Sequence, residues 1–119
     1  MNRSLSPCPD KPNCVSTTAG DERHAIAPFR YRKSRAEAKE ALKAVIAALP
    51  RARLVEEDDA YLHVECTSLL LRFVDDVEFL FDEESKTIHF RSASRVGYGD
   101  LGVNRRRMEE IRSLVDGKL

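Results

Sequence analysis

Residues 60–94 read AYLHVECTSLLLRFVDDVEFLFDEESKTIHFRSAS. Leu62, Val64 and Cys66 alternate with Tyr61, His63 and Glu65, the two-residue period of a half-buried strand. Val77, Phe79 and Phe81 share one face, with Glu78 and Leu80 opposite, and Ile88 and Phe90 oppose Thr87, His89 and Arg91 over Thr87–Ser94. Leu69–Val74 reads as a further strand or as a continuation of the first. Polar clusters at Asp75-Asp76 and at Glu83-Glu84-Ser85-Lys86 separate the runs as hairpin turns would, and Asp58-Asp59 makes a similar turn after a strand over Arg53–Glu57. Consecutive strands joined by short turns pair antiparallel, because a parallel pair needs a long crossover.

Outward from this block, SRAEAKEALKAVIAAL at 34–49 is an amphipathic helix. Ser34 and Glu37 make a capping box, and Ala38, Ala41, Leu42, Val45, Ile46 and Leu49 recur at three- and four-residue steps. Pro50 prevents continuation. A second helix starts near Val103 or Asn104, with Met108, Ile111 and Val115 on its apolar face and Gly117 at its end. An apolar sheet face needs a cover, and two amphipathic helices supply it. The expected fold is therefore α+β: two layers, an antiparallel sheet of four to five strands and two helices. Leu42, Val45, Ile46, Phe79, Phe81, Ile88, Phe90 and Ile111 are its expected core. Residues 1–28 hold four of the five prolines and show no period, which predicts an irregular N-terminal arm preceding a single α+β domain over 29–119. Asn13, Cys14 and Val15 are candidates to anchor that arm, and a loose tail is the alternative.

The 119 residues carry 20 basic and 20 acidic side chains, a balance that argues against a nucleic-acid partner. Apolar runs such as Leu69-Leu70-Leu71, and even the longest, AVIAAL at 44–49, are far too short for a membrane span. MNRSLSPCPDKPNCVST has no apolar signal core, so the expected location is cytoplasmic, with export or membrane association as the alternative if a leader is removed. Cys8 and Cys14 are reduced thiols in the first case and a disulfide in the second. Their spacing does not suit zinc, and with His24 they still lack a fourth ligand, so no metal is expected. Cys66 reads as a core residue.

Residues 97–102, GYGDLG, spell G-x-G-x-x-G between a strand and a helix. A dinucleotide loop needs a second parallel strand beyond that helix, and only 17 residues follow Gly102, all absorbed by the helix itself. No dinucleotide or other cofactor is expected. Beside the glycines, Arg105, Arg106 and Arg107 occupy the first helical turn, where the helix dipole disfavours cations. Something negative must offset them. From Val55 to Glu84 there are eleven acids and one base, whereas Lys86 to Arg112 holds seven bases and three acids. The offset is then internal, through Asp75, Asp76, Glu78 or Asp100, or it is an external anion held by Arg91, Arg95, Tyr98 and Arg105–Arg107.

His63 and His89 sit on polar strand faces, and Asp75-Asp76 would share a site only at a turn. No G-x-S-x-G, H-E-x-x-H or Walker-type sequence is present, which leans the reading away from an enzyme.

Three stretches carry a family resemblance: CPDKPNCVST at Cys8–Thr17, FVDDVEF at Phe73–Phe79 and RSASRVGYGDLGVNRRR at Arg91–Arg107. With them the chain resembles domain-of-unknown-function family 1499 over nearly its whole length. The resemblance implies mostly bacterial and plastid relatives, many with an N-terminal membrane segment or leader. It implies that the arm, the Asp75-Asp76 turn and Arg91–Arg107 form a common structural or binding unit. It also implies serine as the frequent occupant at Gly99, which makes the hexapeptide match accidental. The leading expectation is a non-catalytic binding or accessory domain for an anionic small molecule, a lipid headgroup or an acidic protein segment. The alternatives are a small enzyme using Asp75, Asp76, His63 or Cys14 near the arginines, and a structural interaction domain whose arginines are all paired internally.

Overall fold

The computed structural model describes residues 3–119. The elements are β1 (Cys14–Ser16), β2 (Phe29–Arg30), α1 (Arg35–Ala48), β3 (Ala52–Asp58), β4 (Tyr61–Thr67), β5 (Val74–Asp82), β6 (Thr87–Ser94) and α2 (Val103–Val115). The sheet runs β1-β6-β5-β4-β3, and β2 pairs with the same strand as β1, farther along β6. All of these pairings are antiparallel. This is the expected α+β class, enlarged by two short strands that the sequence period is too brief to reveal.

Ser34 Oγ accepts from the Glu37 amide at 3.1 Å and the Glu37 carboxylate accepts from Ser34, so the predicted capping box starts α1. Ala38, Leu42, Val45 and Ile46 of α1 and Met108, Ile111 and Val115 of α2 are buried against one sheet face. The core is completed by Leu62, Val64, Val77, Phe79, Phe81, Ile88 and Phe90, and every expected core residue belongs to it.

Two turn expectations are corrected. Asp75 and Asp76 lie inside β5, opposite Ser94 and Ala93 of β6, so their carboxylates point to opposite faces of the sheet. The real turn is Ser68–Phe73, closed by the Ser68 amide to the Phe73 carbonyl (2.8 Å) and by the Phe73 amide to Ser68 Oγ (2.9 Å). Its three leucines, read as strand, form an exposed tip.

The N-terminal segment is packed, with Asn13, Cys14 and Val15 all buried. Cys8 and Cys14 are joined by a disulfide. From there the segment crosses the sheet face that the helices leave open. The Pro7 carbonyl accepts from Arg91 of β6, and Arg3 reaches Glu56 and Asp58 of β3 at 2.8 Å each while lying over the Tyr61 ring.

Candidate functional site

The arginines proposed from sequence divide between the two sides of the sheet. On the open face, Arg95 donates Nε and Nη2 to Asp76 (2.7 and 2.8 Å) and Nη2 also to Glu65 (2.6 Å). Glu65 also accepts from Arg53, and His63 Nε2 lies 2.8 Å from Asp76. The Arg95 guanidinium holds the Asp76 carboxyl below the usual carboxylate range, against burial and with help from His63. Arg95 and Arg53 do the same for Glu65, and the two acids raise Arg95 in turn. A carboxylate saturated in this way is a poor general base. Arg91 lies under the crossing segment, where its Nε is buried without a partner.

On the helix side, Asp75 is buried and accepts from Arg107 Nη2 at 2.7 Å. Arg107 Nη1 also donates to Asn104 Oδ1 (2.9 Å), which accepts from Ser92 Oγ (2.6 Å). The Asn104 amide nitrogen donates to the Asn13 carbonyl, to Ser94 Oγ and to Asp100. Asn13 in turn donates to the Gly97 carbonyl at 2.9 Å. One buried network therefore ties the N-terminal segment, β5, β6, the glycine loop and α2 together. Asn104 and Ser92 are fully enclosed in it, so their hydrogen bonds offset a desolvation cost that would otherwise be substantial.

Asp100 answers the question raised by cations at the start of α2. Its Oδ1 accepts from the Gly102 amide (2.8 Å) and its Oδ2 from the Asn104 amide (3.2 Å), so this residue's own carboxylate sits on the helix N-terminus. Burial pushes the Asp100 carboxyl up, but the bonds from Asn104 and Gly102 outweigh it and hold it below the ordinary value. Gly97 and Gly102 adopt left-handed backbone, φ +86° and +80°, whereas Gly99 does not. Two of the three glycines thus shape a loop that ends in an internal cap. No βαβ unit follows it, since β6 has only antiparallel neighbours.

The remaining arginines surround a cleft of about 830 Å³ between the end of α1, the start of β3 and the first turns of α2. Leu49, Pro50, Ala52 and Val103 give it apolar walls, Arg51, Arg105 and Arg106 give it positive charge, and Glu109, paired with Arg112, and Glu110 line its α2 side. Arg105 donates to the Ala25 and Arg23 carbonyls, and Arg106 folds back on the Leu101 carbonyl at 2.8 Å. Arg51, Arg105 and Arg106 have no carboxylate partner among the described residues. Cys66 lies at the cleft wall, where burial pushes its thiol up and keeps it protonated. Tyr98 is exposed on the glycine loop, away from this lining. Sequence reasoning missed Arg51, which follows the helix-ending Pro50 with a left-handed φ of +59°. The visible signal was an arginine placed directly after a helix terminator.

The family model described as Protein of unknown function (DUF1499) matches residues 4–115. The chain belongs to this family. No curated protein matches it. The match takes in both the crossing N-terminal segment and α2, so the DUF1499 domain includes every partner in the Asn104 network. Among the described residues of this DUF1499 domain, no helix is long and apolar enough to cross a membrane, and no three His, Cys, Asp or Glu side chains are grouped to hold a metal.

Proposed function

We propose that the domain is a non-catalytic binding or accessory module that takes an amphipathic anion in the cleft between α1 and α2. The observation that carries this reading is the contrast between two sets of arginines. Arg95 and Arg107 are matched to Asp76, Glu65 and Asp75. Arg51 and Arg106 line a cleft beside Leu49, Pro50 and Val103 with their charge unmatched by any carboxylate contact among the described residues. Guanidinium forks over apolar walls suit a phosphate or carboxylate attached to a hydrocarbon stem. The groups of the enzyme alternative have partners of their own: Asp76 meets Arg95 and His63, Asp75 meets Arg107, and Cys14 is bridged to Cys8. The Cys8–Cys14 disulfide supports residence in an oxidising compartment, the exported alternative.

Calorimetric titration with octyl phosphate and with inorganic phosphate tests the cleft. Octyl phosphate is expected to bind more tightly, to weaken about tenfold or more in Arg106→Ala and Arg51→Ala, and to be unchanged in Arg53→Ala on the open face. Equal binding by wild type and the Arg51→Ala/Arg106→Ala double variant would overturn the reading.

A further inference from the structure

The β4–β5 turn and the loop entering α2 leave the same end of the sheet. Thr67 pairs with Val74, Asp75 pairs with Ser94, and the Arg95 amide bonds the Val74 carbonyl at 3.2 Å. At that end the chain exposes large apolar side chains: Leu69, Leu70 (87% exposed), Leu71 and Phe73 on one loop, and Val96, Tyr98 and Leu101 (93% exposed) on the other. Leu101 holds a left-handed φ of +54°, and so does Arg72 at +58°, so the tips are projected by backbone that non-glycine residues seldom adopt. Burial of these side chains inside the domain would have been favourable, and an outward apolar cluster marks an interaction surface.

We propose that these two loops are a membrane-docking surface that inserts Leu70 and Leu101 into the outer part of an anionic phospholipid bilayer. Placement favours a bilayer over a protein groove, because the most exposed apolar groups, Leu70 and Leu101, stand on two separate loops at one end of the sheet. Charge favours it as well. No acid occurs from Cys66 to Val74, Arg72 makes no hydrogen bond or ion pair among the described residues, and Arg51 and Arg106 stand beside the loops at the cleft. Asp100, the acid of the second loop, is turned inward onto α2 amides. A ring of arginines with long apolar stems meets headgroup phosphates while the stems lie along the acyl boundary. Phe73 and Tyr98 then stand at the interfacial level that aromatic side chains favour. This inference stands on the loops, takes from the cleft only the nearby charge of Arg51 and Arg106, and adds a partner that the cleft reading does not require.

The chain contains no tryptophan, so a single introduced one reports on its own position. Leu70→Trp, Leu101→Trp and, in the turn at the other end of the sheet, Glu84→Trp are mixed with vesicles of three parts phosphatidylcholine to one part phosphatidylglycerol. The first two are expected to shift their emission to the blue and to be quenched by lipids brominated on the acyl chain, and the third to do neither. Leu70→Asp, at a fully projecting position, is expected to keep its melting temperature and to lose about tenfold or more in vesicle affinity. Binding is expected to fall with added salt and to be weaker on phosphatidylcholine alone. Water-like emission from both loop tryptophans overturns the proposal, even if the protein still reaches vesicles through an Arg106-dependent contact, which would leave the cleft reading standing. A concentration-dependent dimer abolished by Leu70→Asp, with no vesicle binding, overturns it in favour of self-association. Insertion of both tips in a protein whose octyl phosphate affinity ignores Arg51 and Arg106 upholds it and removes the cleft reading alone.

Discussion

Arg107 Nη2 and Asp75 Oδ2 meet at 2.7 Å between α2 and β5, with side chains only 15% and 9% exposed. The same guanidinium reaches Ser92 and Asn104, so the pair closes a polar network inside an otherwise apolar layer. Arg107→Ala strands the Asp75 carboxylate and is expected to cost about 3–5 kcal/mol in urea denaturation. Arg106→Ala, at an exposed neighbour, is expected to change stability by about 0.5 kcal/mol or less. Equal losses from the two variants would remove the division of roles between them.

Acid sensitivity should trace to the open face. Asp76 and Glu65 lie below their ordinary values of 3.8 and 4.5 because Arg95 stabilises their ionised forms. Groups depressed on folding contribute stability that is present above the unfolded value and is lost as pH falls through the folded one. Wild type is therefore expected to lose stability below about pH 4.5, and Arg95→Ala to be less stable than wild type at neutral pH, to show a shallower acid limb and to converge on wild type in acid. Stability measured across an acid pH series with matched ionic strength checks this, and parallel curves for the two proteins would contradict it.

The glycine loop predicts an asymmetry among its glycines. Gly102 has φ +80°, and a Cβ there would lie 3.0 Å from Arg106 Nη1. Gly102→Ala is expected to cost about 1–2 kcal/mol. Gly99 has an ordinary φ, and its nearest neighbour to a new Cβ is Pro12 at 3.9 Å. Gly99→Ser is expected to melt within a degree or two of wild type (roughly 0.5 kcal/mol). The reverse order in a thermal melt would mean that the loop is shaped by something other than backbone handedness.

Thiol titration distinguishes the three cysteines. With Cys8–Cys14 formed and Cys66 buried, the native protein is expected to react slowly, and the denatured, unreduced protein to release one thiol. The bridge spans a sequence separation of only 6, so its loss is expected to cost about 2–3 kcal/mol. Three thiols titrating without a reductant would show that the bridge is absent.

The helices, β4, β5 and β6 were legible because each carries its period over five or more residues, as at Leu62–Cys66 and Val77–Phe81, with the capping box at Ser34 marking the start of α1, and β3 was legible from the Asp58-Asp59 turn that follows it. β1 and β2 were not, because three and two residues show no period and their pairing with β6 is set by tertiary contact. Asp75-Asp76 misled for a related reason. Two adjacent acids resemble a turn, and only knowledge of Arg107 on one side and Arg95 on the other makes them strand residues. Charge complementarity between residues 55–84 and 86–112 was visible in the sequence, but which arginine met which acid depended on the faces of a sheet not yet assembled. The leucine triplet read as strand because hydrophobicity alone says nothing about direction.

The outer margin of β6 is closed by two short pieces, Cys14–Ser16 against Arg91–Ala93 and Phe29–Arg30 against Thr87–Ile88. Without them, an eight-residue strand would present its free amides and carbonyls to any neighbouring chain, the template from which edge-to-edge aggregation grows. The partners come from about 60–80 residues earlier in the chain, so their ordering closes long loops and follows the local hairpins in folding. The vulnerable interval is thus the time between formation of the β4–β5–β6 meander and arrival of the N-terminal segment. The Cys8–Cys14 bridge narrows the conformations open to that segment and is expected to shorten the interval in which the unprotected strand can recruit another copy.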